Sequence, residues 1–209
     1  MYLEKIKKDL SEIKRTSFGI SVPELRKYAK KIAQNYKEFA GINDNSTFEL
    51  RMLHAFVLGY AKDDIKHLLH YFKLFMPYVD DWAVNDSLCQ NFRISRKYPK
   101  EVWNFLMKYK DSKKEFESRI VAVVLLSHYL NDEYIDRVID VLDNLNTDDY
   151  YSQMGVAWAL ATVMGFYPKK CLDYLKSKEC HLDSITRKKT YQKIRESFRV
   201  SDKIKKILK

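Results

Sequence analysis

A helical hydrophobic period that returns about every 34 residues most limits the folds open to this chain. From Leu50 to Ala61, from Ile120 to Leu130 and from Met154 to Met164, apolar residues fall at three- and four-residue steps nearly all round the helix. Such segments belong inside a layered protein, because a surface helix would keep a polar face. Amphipathic stretches at roughly 63–76, 99–110, 132–145 and 168–177 alternate with them. Tyr98-Pro99-Lys100-Glu101-Val102-Trp103 resembles Tyr167-Pro168-Lys169-Lys170-Cys171-Leu172, displaced by 69 residues. The inner stretches at 50–61, 118–130 and 152–164 are displaced by 68 and then 34, and a weaker copy at 84–94 fills the gap. A helix pair at that period buries its apolar face only against neighbouring pairs, so the stack curves and offers a concave surface. The fold class expected is all-α, an α-solenoid of HEAT-like helical repeats forming an α-α superhelix. One domain over 1–209 is expected, with N-terminal cap helices in 1–45, helix-pair repeats in 46–180 and basic C-terminal helices in 181–209. Residues 39–47 read as a loop, with Ser46 or Asn45 capping the helix that follows.

Composition agrees with helices. Five Gly and four Pro in 209 residues are too few for the turns of an all-β fold. Pro23, Pro99 and Pro168 sit at first-turn positions, where the missing N–H costs nothing. Three cysteines (89, 171 and 180) do not make a disulfide framework, and no run approaches the ~18 apolar residues of a membrane span. A soluble, cytoplasmic and nucleoid-associated setting, with no membrane partner and a monomeric chain, is expected. The chain carries 38 Lys and Arg against 28 Asp and Glu, net +10, which favours a polyanionic partner. Charge is also segregated. Residues 183–209 hold ten basic side chains against three acidic ones, while 131–150 hold seven acidic against one Arg.

Few motifs carry chemistry. There is no Gly-rich phosphate loop, and His67 and His70 lack partners at ligand spacing, so neither a cofactor nor a metal is expected. The segment Asp80-Asp81-Trp82-Ala83-Val84-Asn85-Asp86 stands apart. Trp82 and Asp86 lie at i, i+4 and share a helix face. An indole beside a carboxylate suits a cationic aromatic ligand, the ring by stacking and cation–π contact and the acid by charge. Arg119 and Trp158 begin and occupy later inner helices. The structural alternatives are core packing for both indoles, and a helix cap or a partner for Arg119 in the case of Asp86. For polyanion contact the candidates are Arg93, Arg96, Arg187, Lys188, Lys189, Lys193 and Arg195.

Four segments carry a resemblance: Phe18-Gly19-Ile20-Ser21-Val22-Pro23-Glu24-Leu25-Arg26-Lys27, Asp81 to Ser87, Glu115 to Ala122, and Tyr150 to Ala159. In this order on a helical repeat chain, they resemble the bacterial DNA alkylation repair family of HEAT-like-repeat DNA glycosylases, the AlkD type. The single helix before Phe18 suggests a subgroup with a shortened N-terminus. The resemblance implies a partner, double-stranded DNA, alkylated or branched, held in a basic concave cleft. It also implies a reaction, excision of cationic N-alkylated purines such as N3-methyladenine and N7-methylguanine. By the same resemblance Asp86 is the catalytic carboxylate, Trp82 and Trp158 are aromatic walls beside the lesion, and Arg119 holds the backbone. Three functions remain open: an N-glycosylase, a DNA-binding relative without excision, and a protein-binding solenoid scaffold.

Overall fold

The computed structural model describes residues 2–13, 19–42 and 44–208, with the side chain of residue 42 left aside. Phe18, where the first resembling segment begins, lies outside them, as do residues 14–17 and Asn43 of the expected first helix and loop. Among the described residues no β-strand forms. In the same described residues thirteen α-helices follow one another, with three 3-10 helices among their connections. They are α1 (Tyr2–Ile13), α2 (Val22–Ile32), α3 (Tyr36–Ile42), α4 (Phe48–Tyr60), α5 (Ile65–Phe75), α6 (Trp82–Asn91) and α7 (Pro99–Leu106). Then come α8 (Glu115–His128), α9 (Ile135–Asn144), α10 (Tyr150–Phe166), α11 (Pro168–Lys176), α12 (Ser184–Glu196) and α13 (Asp202–Ile207). The even-numbered helices from α4 to α12 begin 33 to 35 residues apart, at Phe48, Trp82, Glu115, Tyr150 and Ser184. The sequence period is therefore the spacing of one helix set.

The contacts sort into two compact units, Met1–Tyr98 and Pro99–Lys209. In the first, α4 packs between α2 and α6, with α3 and α5 also against it. In the second, α10 packs between α8 and α12 and also meets α9 and α11. Within each unit the apolar helices pack on one another and the amphipathic ones cover them. Met52 through Leu58 of α4 are all buried, as are Ser118 through Leu125 of α8. Helix α9 instead buries Ile135, Val138, Ile139 and Leu142, the i, i+3, i+4, i+7 stripe of a one-sided helix. Each such aliphatic side chain contributes roughly 1.5–3 kcal/mol on full burial.

Two local expectations are corrected. Residues 39–42 are not loop but the end of α3, because Phe39 and Ala40 are buried and hold that turn helical. Gly41 is no break, since α3 runs through it to Ile42. The cap of α4 is Thr47, whose Oγ1 accepts the Leu50 N–H at 3.3 Å, rather than Ser46 or Asn45. Asn45 points inward instead. It is buried, and its Oδ1 lies 3.0 Å from His54 Nδ1. His54 stacks on Phe75 at 4.1 Å and meets Phe39 edge-on, and burial lowers its pKa to about 3.

Candidate nucleic-acid interface

In the first unit, the start of α6 is set by Asp81. Its Oδ1 accepts the Ala83 N–H at 2.7 Å, satisfying a donor the helix cannot pair itself. Asp81, not Asp86, is therefore the cap. Trp82 follows at the first helical position and stays 51 % exposed, so this indole is not a core residue. One turn on, Asp86 is only 8 % exposed, and its neighbour Asn85 is fully buried. An open ring thus stands one turn from a screened carboxylate. After α6 the chain tightens into the 3-10 helix Arg93–Arg96. Buried Phe92 and Ser95 anchor it, leaving Arg93 and Arg96 exposed.

In the second unit, Arg119 lies in the second turn of α8. It is 5 % exposed, and its Nη1 donates to Tyr151 O on α10 at 2.9 Å. Glu115, one turn earlier, accepts the Tyr151 N–H at 2.6 Å. Both backbone polar groups of Tyr151 are thus met by side chains of α8, which fixes the first turn of α10 on α8. Gly155 makes room for this, because a Cβ there would stand 3.2 Å from Arg119 Cγ. Trp158, three residues beyond Gly155 and so on the same helix face, is half-buried rather than sealed in the core. Arg119 therefore crosses α10 one turn from Trp158.

The basic candidates of α12 divide. Arg187 donates to Cys180 O at 3.1 Å, Lys193 pairs with Glu196 at 2.8 Å and Arg195 reaches Leu208 O at 3.4 Å. These three hold the C-terminal segment together. Lys188 is exposed, and the Lys189 ammonium sits 4.3 Å above the ring of Tyr150, itself half exposed at the start of α10. Tyr150 and Lys189 form a cation–aromatic pair that sequence reading left out. Its sequence signal was an aromatic residue directly after the Asp149 cap.

Among the described residues no group of His, Cys, Asp and Glu is placed to hold a metal ion. Among the described residues Cys89, Cys171 and Cys180 are buried and form no disulfide, and burial raises the Cys171 thiol pKa to about 12, which disfavours the nucleophilic thiolate. His67 and His70 are exposed. No helix is long and apolar enough to cross a membrane among the residues described.

No curated protein and no solved structure matches the chain. The family described as "DNA alkylation repair enzyme" does, over residues 4–194, which take in Trp82, Asp86, Arg119, Trp158 and most of α12. On that match, covering all but the two ends of the sequence, the chain belongs to the DNA alkylation repair enzyme family.

Proposed function

We propose that this protein binds DNA and excises cationic N-alkylated purines from it, with Asp86 as the catalytic carboxylate. In this reading the helix pairs are HEAT-like repeats, and their basic concave face receives double-stranded DNA. A purine alkylated at N3 or N7 already carries positive charge and leaves without being protonated. The protein must then stabilise an oxocarbenium-like deoxyribose and direct a water to C1′. A carboxylate screened from solvent does the first strongly, because little water competes with its field. Trp82 and Trp158 would lie against the lesion nucleotide, and Arg119 would take a phosphate. Arg93, Arg96, Lys188 and Lys189 would add non-specific backbone contacts.

One observation carries the reading beyond family membership. A tryptophan half open to solvent stands at the head of α6, one turn from a carboxylate that solvent scarcely reaches. A packing role does not explain the exposed indole. The decisive assay is base release from methylated duplex DNA, scored by chromatography of N7-methylguanine and N3-methyladenine. The wild-type protein is expected to release them, and Asp86→Asn to be at least about 100-fold slower with duplex affinity retained. Failure of micromolar wild-type protein to release any base over hours would overturn excision.

A second reading, DNA binding without excision, is favoured by the same 8 % exposure of Asp86, which also suits a purely structural acid. It gives no base release, together with a duplex affinity that falls steeply with salt and is indifferent to Asp86→Asn.

A further inference from the structure

We propose that a cavity at the far end of α6 binds a nucleoside 5′-phosphate unit, supplied by an unpaired nucleotide of a DNA strand or by a free nucleotide. The DNA source rests on the reading of the protein as a DNA-binding one. The cavity does not include Trp82 or Asp86, which belong to the opposite end of the same helix. It is open to solvent on one side and has a volume of about 700 Å³, within the range of small-ligand pockets.

The backbone explains why a hollow forms there. A Cβ on Gly59 would stand 2.6 Å from Asn91 Cβ and 3.1 Å from the Asn91 carbonyl carbon, so α4 and α6 touch almost backbone to backbone. Beyond that contact both chains must turn away. Ala61 takes an extended conformation and leads into the 61–64 turn, while Phe92 redirects the chain into the 3-10 helix. The two segments become the walls of the cavity.

Its lining combines two half-buried phenols, Tyr60 and Tyr98, with three exposed cations, Lys62, Arg93 and Lys97. Lys30 adds a fourth positive charge, 5.5 Å from the Tyr60 ring centre. Two carboxylates are also present, and both are committed elsewhere. Asp63 accepts the Tyr36 hydroxyl at 2.7 Å and the Lys37 ammonium at 2.6 Å, which hold its pKa well below the usual carboxylate range. Asp64 caps α5 through the Lys66 N–H at 2.8 Å. Among the described residues neither Lys62 nor Arg93 meets a carboxylate at ion-pair distance. The hollow therefore has tyrosine rings in its walls and positive charge that the two carboxylates do not neutralise. Lys97 lies 5.0 Å from the Tyr98 ring centre, as Lys30 lies near that of Tyr60, and a base stacking on either ring would displace the cation there. Stacking faces for a base beside basic groups for its phosphate are how proteins hold an unpaired nucleotide.

The test is fluorescence anisotropy with a labelled, 5′-phosphorylated tetrathymidylate, competed separately by thymidine 5′-monophosphate and by inorganic phosphate. The tetranucleotide is expected to bind, and Tyr98→Leu and the pair Arg93→Gln with Lys97→Gln are each expected to weaken it about tenfold. Lys178→Gln, exposed, remote in sequence and outside the cavity, should leave it unchanged. If the monophosphate competes as well as the strand, the ligand is a free nucleotide; if only strands compete, it is DNA. Both outcomes support a nucleoside phosphate. Equal competition by inorganic phosphate, or loss in the charge variants with none in Tyr98→Leu, means a bare anion surface and overturns the proposal. A strand carrying 5-bromouracil should also photocrosslink to Tyr60 or Tyr98 in the wild-type protein. Crosslinks solely elsewhere overturn the proposal without relying on any variant to fold. Base release by the same protein is scored independently, so failure of excision and failure of this site are distinguishable.

Discussion

Helices α4 and α10 occupy the same place in their two units, each between two long neighbours, but they are packed by different means. Helix α4 buries an imidazole. His54 is lodged between Phe39 and Phe75, with one ring nitrogen on Asn45 and the other, Nε2, without a hydrogen-bond partner among the described residues. Helix α10 buries nothing that titrates; its interior face is Val156, Ala157, Ala159, Leu160, Val163 and other uncharged side chains. The glycines differ as well. Gly59 of α4 meets the backbone of a neighbour, whereas Gly155 of α10 meets mainly a flexible arginine. One unit is therefore closed by rigid contacts around a proton-sensitive group, and the other carries slack at the side chain that family resemblance assigns to DNA.

The largest expected consequence is acid sensitivity of the first unit. Protonating His54 would put a charge and a new N–H donor where no acceptor waits, so burial holds its pKa at about 3. The unfolded chain takes up that proton near pH 6.5. The stability this represents is complete above pH 6.5 and drains away as the pH falls towards 3. By pH 4.5 the loss amounts to about 2.5 kcal/mol. Asp44, held near 2 chiefly by Lys7, and Asp63 have depressed pKa values, so their contributions persist until the pH falls below about 4. Hydrogen exchange of α4 amides, corrected for intrinsic rates, is expected to show the fall between pH 6.5 and 4.5. His54→Phe keeps the ring stack and should flatten the profile. A variant with the same pH slope as wild type would assign the acid response to other groups.

Next in size is Gly59→Ala. Helix propensity alone would favour alanine by about 1 kcal/mol. Against that, the new methyl overlaps Asn91 at 2.6 Å, and Asn91 is pinned because its side chain donates to Ser87 O at 2.7 Å. Overpacking against backbone is expected to prevail, with a net loss of about 2 kcal/mol in urea unfolding. An unchanged midpoint would show that α4 and α6 can slide apart freely.

These contrasts also mark how far the sequence could be read. The helix set was legible because Leu50–Leu58 and Ile120–Leu125 are apolar on nearly every face, a pattern that an inner helix tolerates and a surface helix does not. The Trp82–Asp86 relation was legible because four residues is one turn of one helix. The end of α3 was not, since Gly41 and the polar run after it outweighed Phe39 and Ala40, whose burial depends on neighbouring helices. Nor could spacing show that Arg119 would bond a carbonyl 32 residues away, or that Tyr60 and Tyr98 would share a hollow. Those follow from two close approaches, at Gly59 and Gly155, and a glycine inside an apolar helix announces neither its partner nor the distance. The His54–Asn45 pair was missed for a related reason. Asn45 looks like a cap in sequence, and only the depth of His54 turns it inward.

The smallest stability effect is expected at Gly155→Ala, and its value lies in what moves instead. The added methyl would stand 3.2 Å from Arg119 Cγ and 3.6 Å from Ala122 Cβ, so a few tenths of an ångström must be found. The Arg119 side chain can supply them by rotating, whereas the Asn91 backbone at Gly59 cannot. Gain in helix propensity and cost of crowding should then nearly cancel, leaving stability within about 1 kcal/mol of wild type. The guanidinium, however, would have to shift from Tyr151 O, to which it now donates at 2.9 Å. If Arg119 holds a phosphate, duplex affinity should drop several-fold in Gly155→Ala while urea unfolding stays put, and Arg119→Lys should drop it further. Loss of stability with no change in affinity would reverse the assignment. It would make Arg119 a strut between α8 and α10, and leave polyanion binding to Lys188, Lys189 and the arginines of residues 93–96.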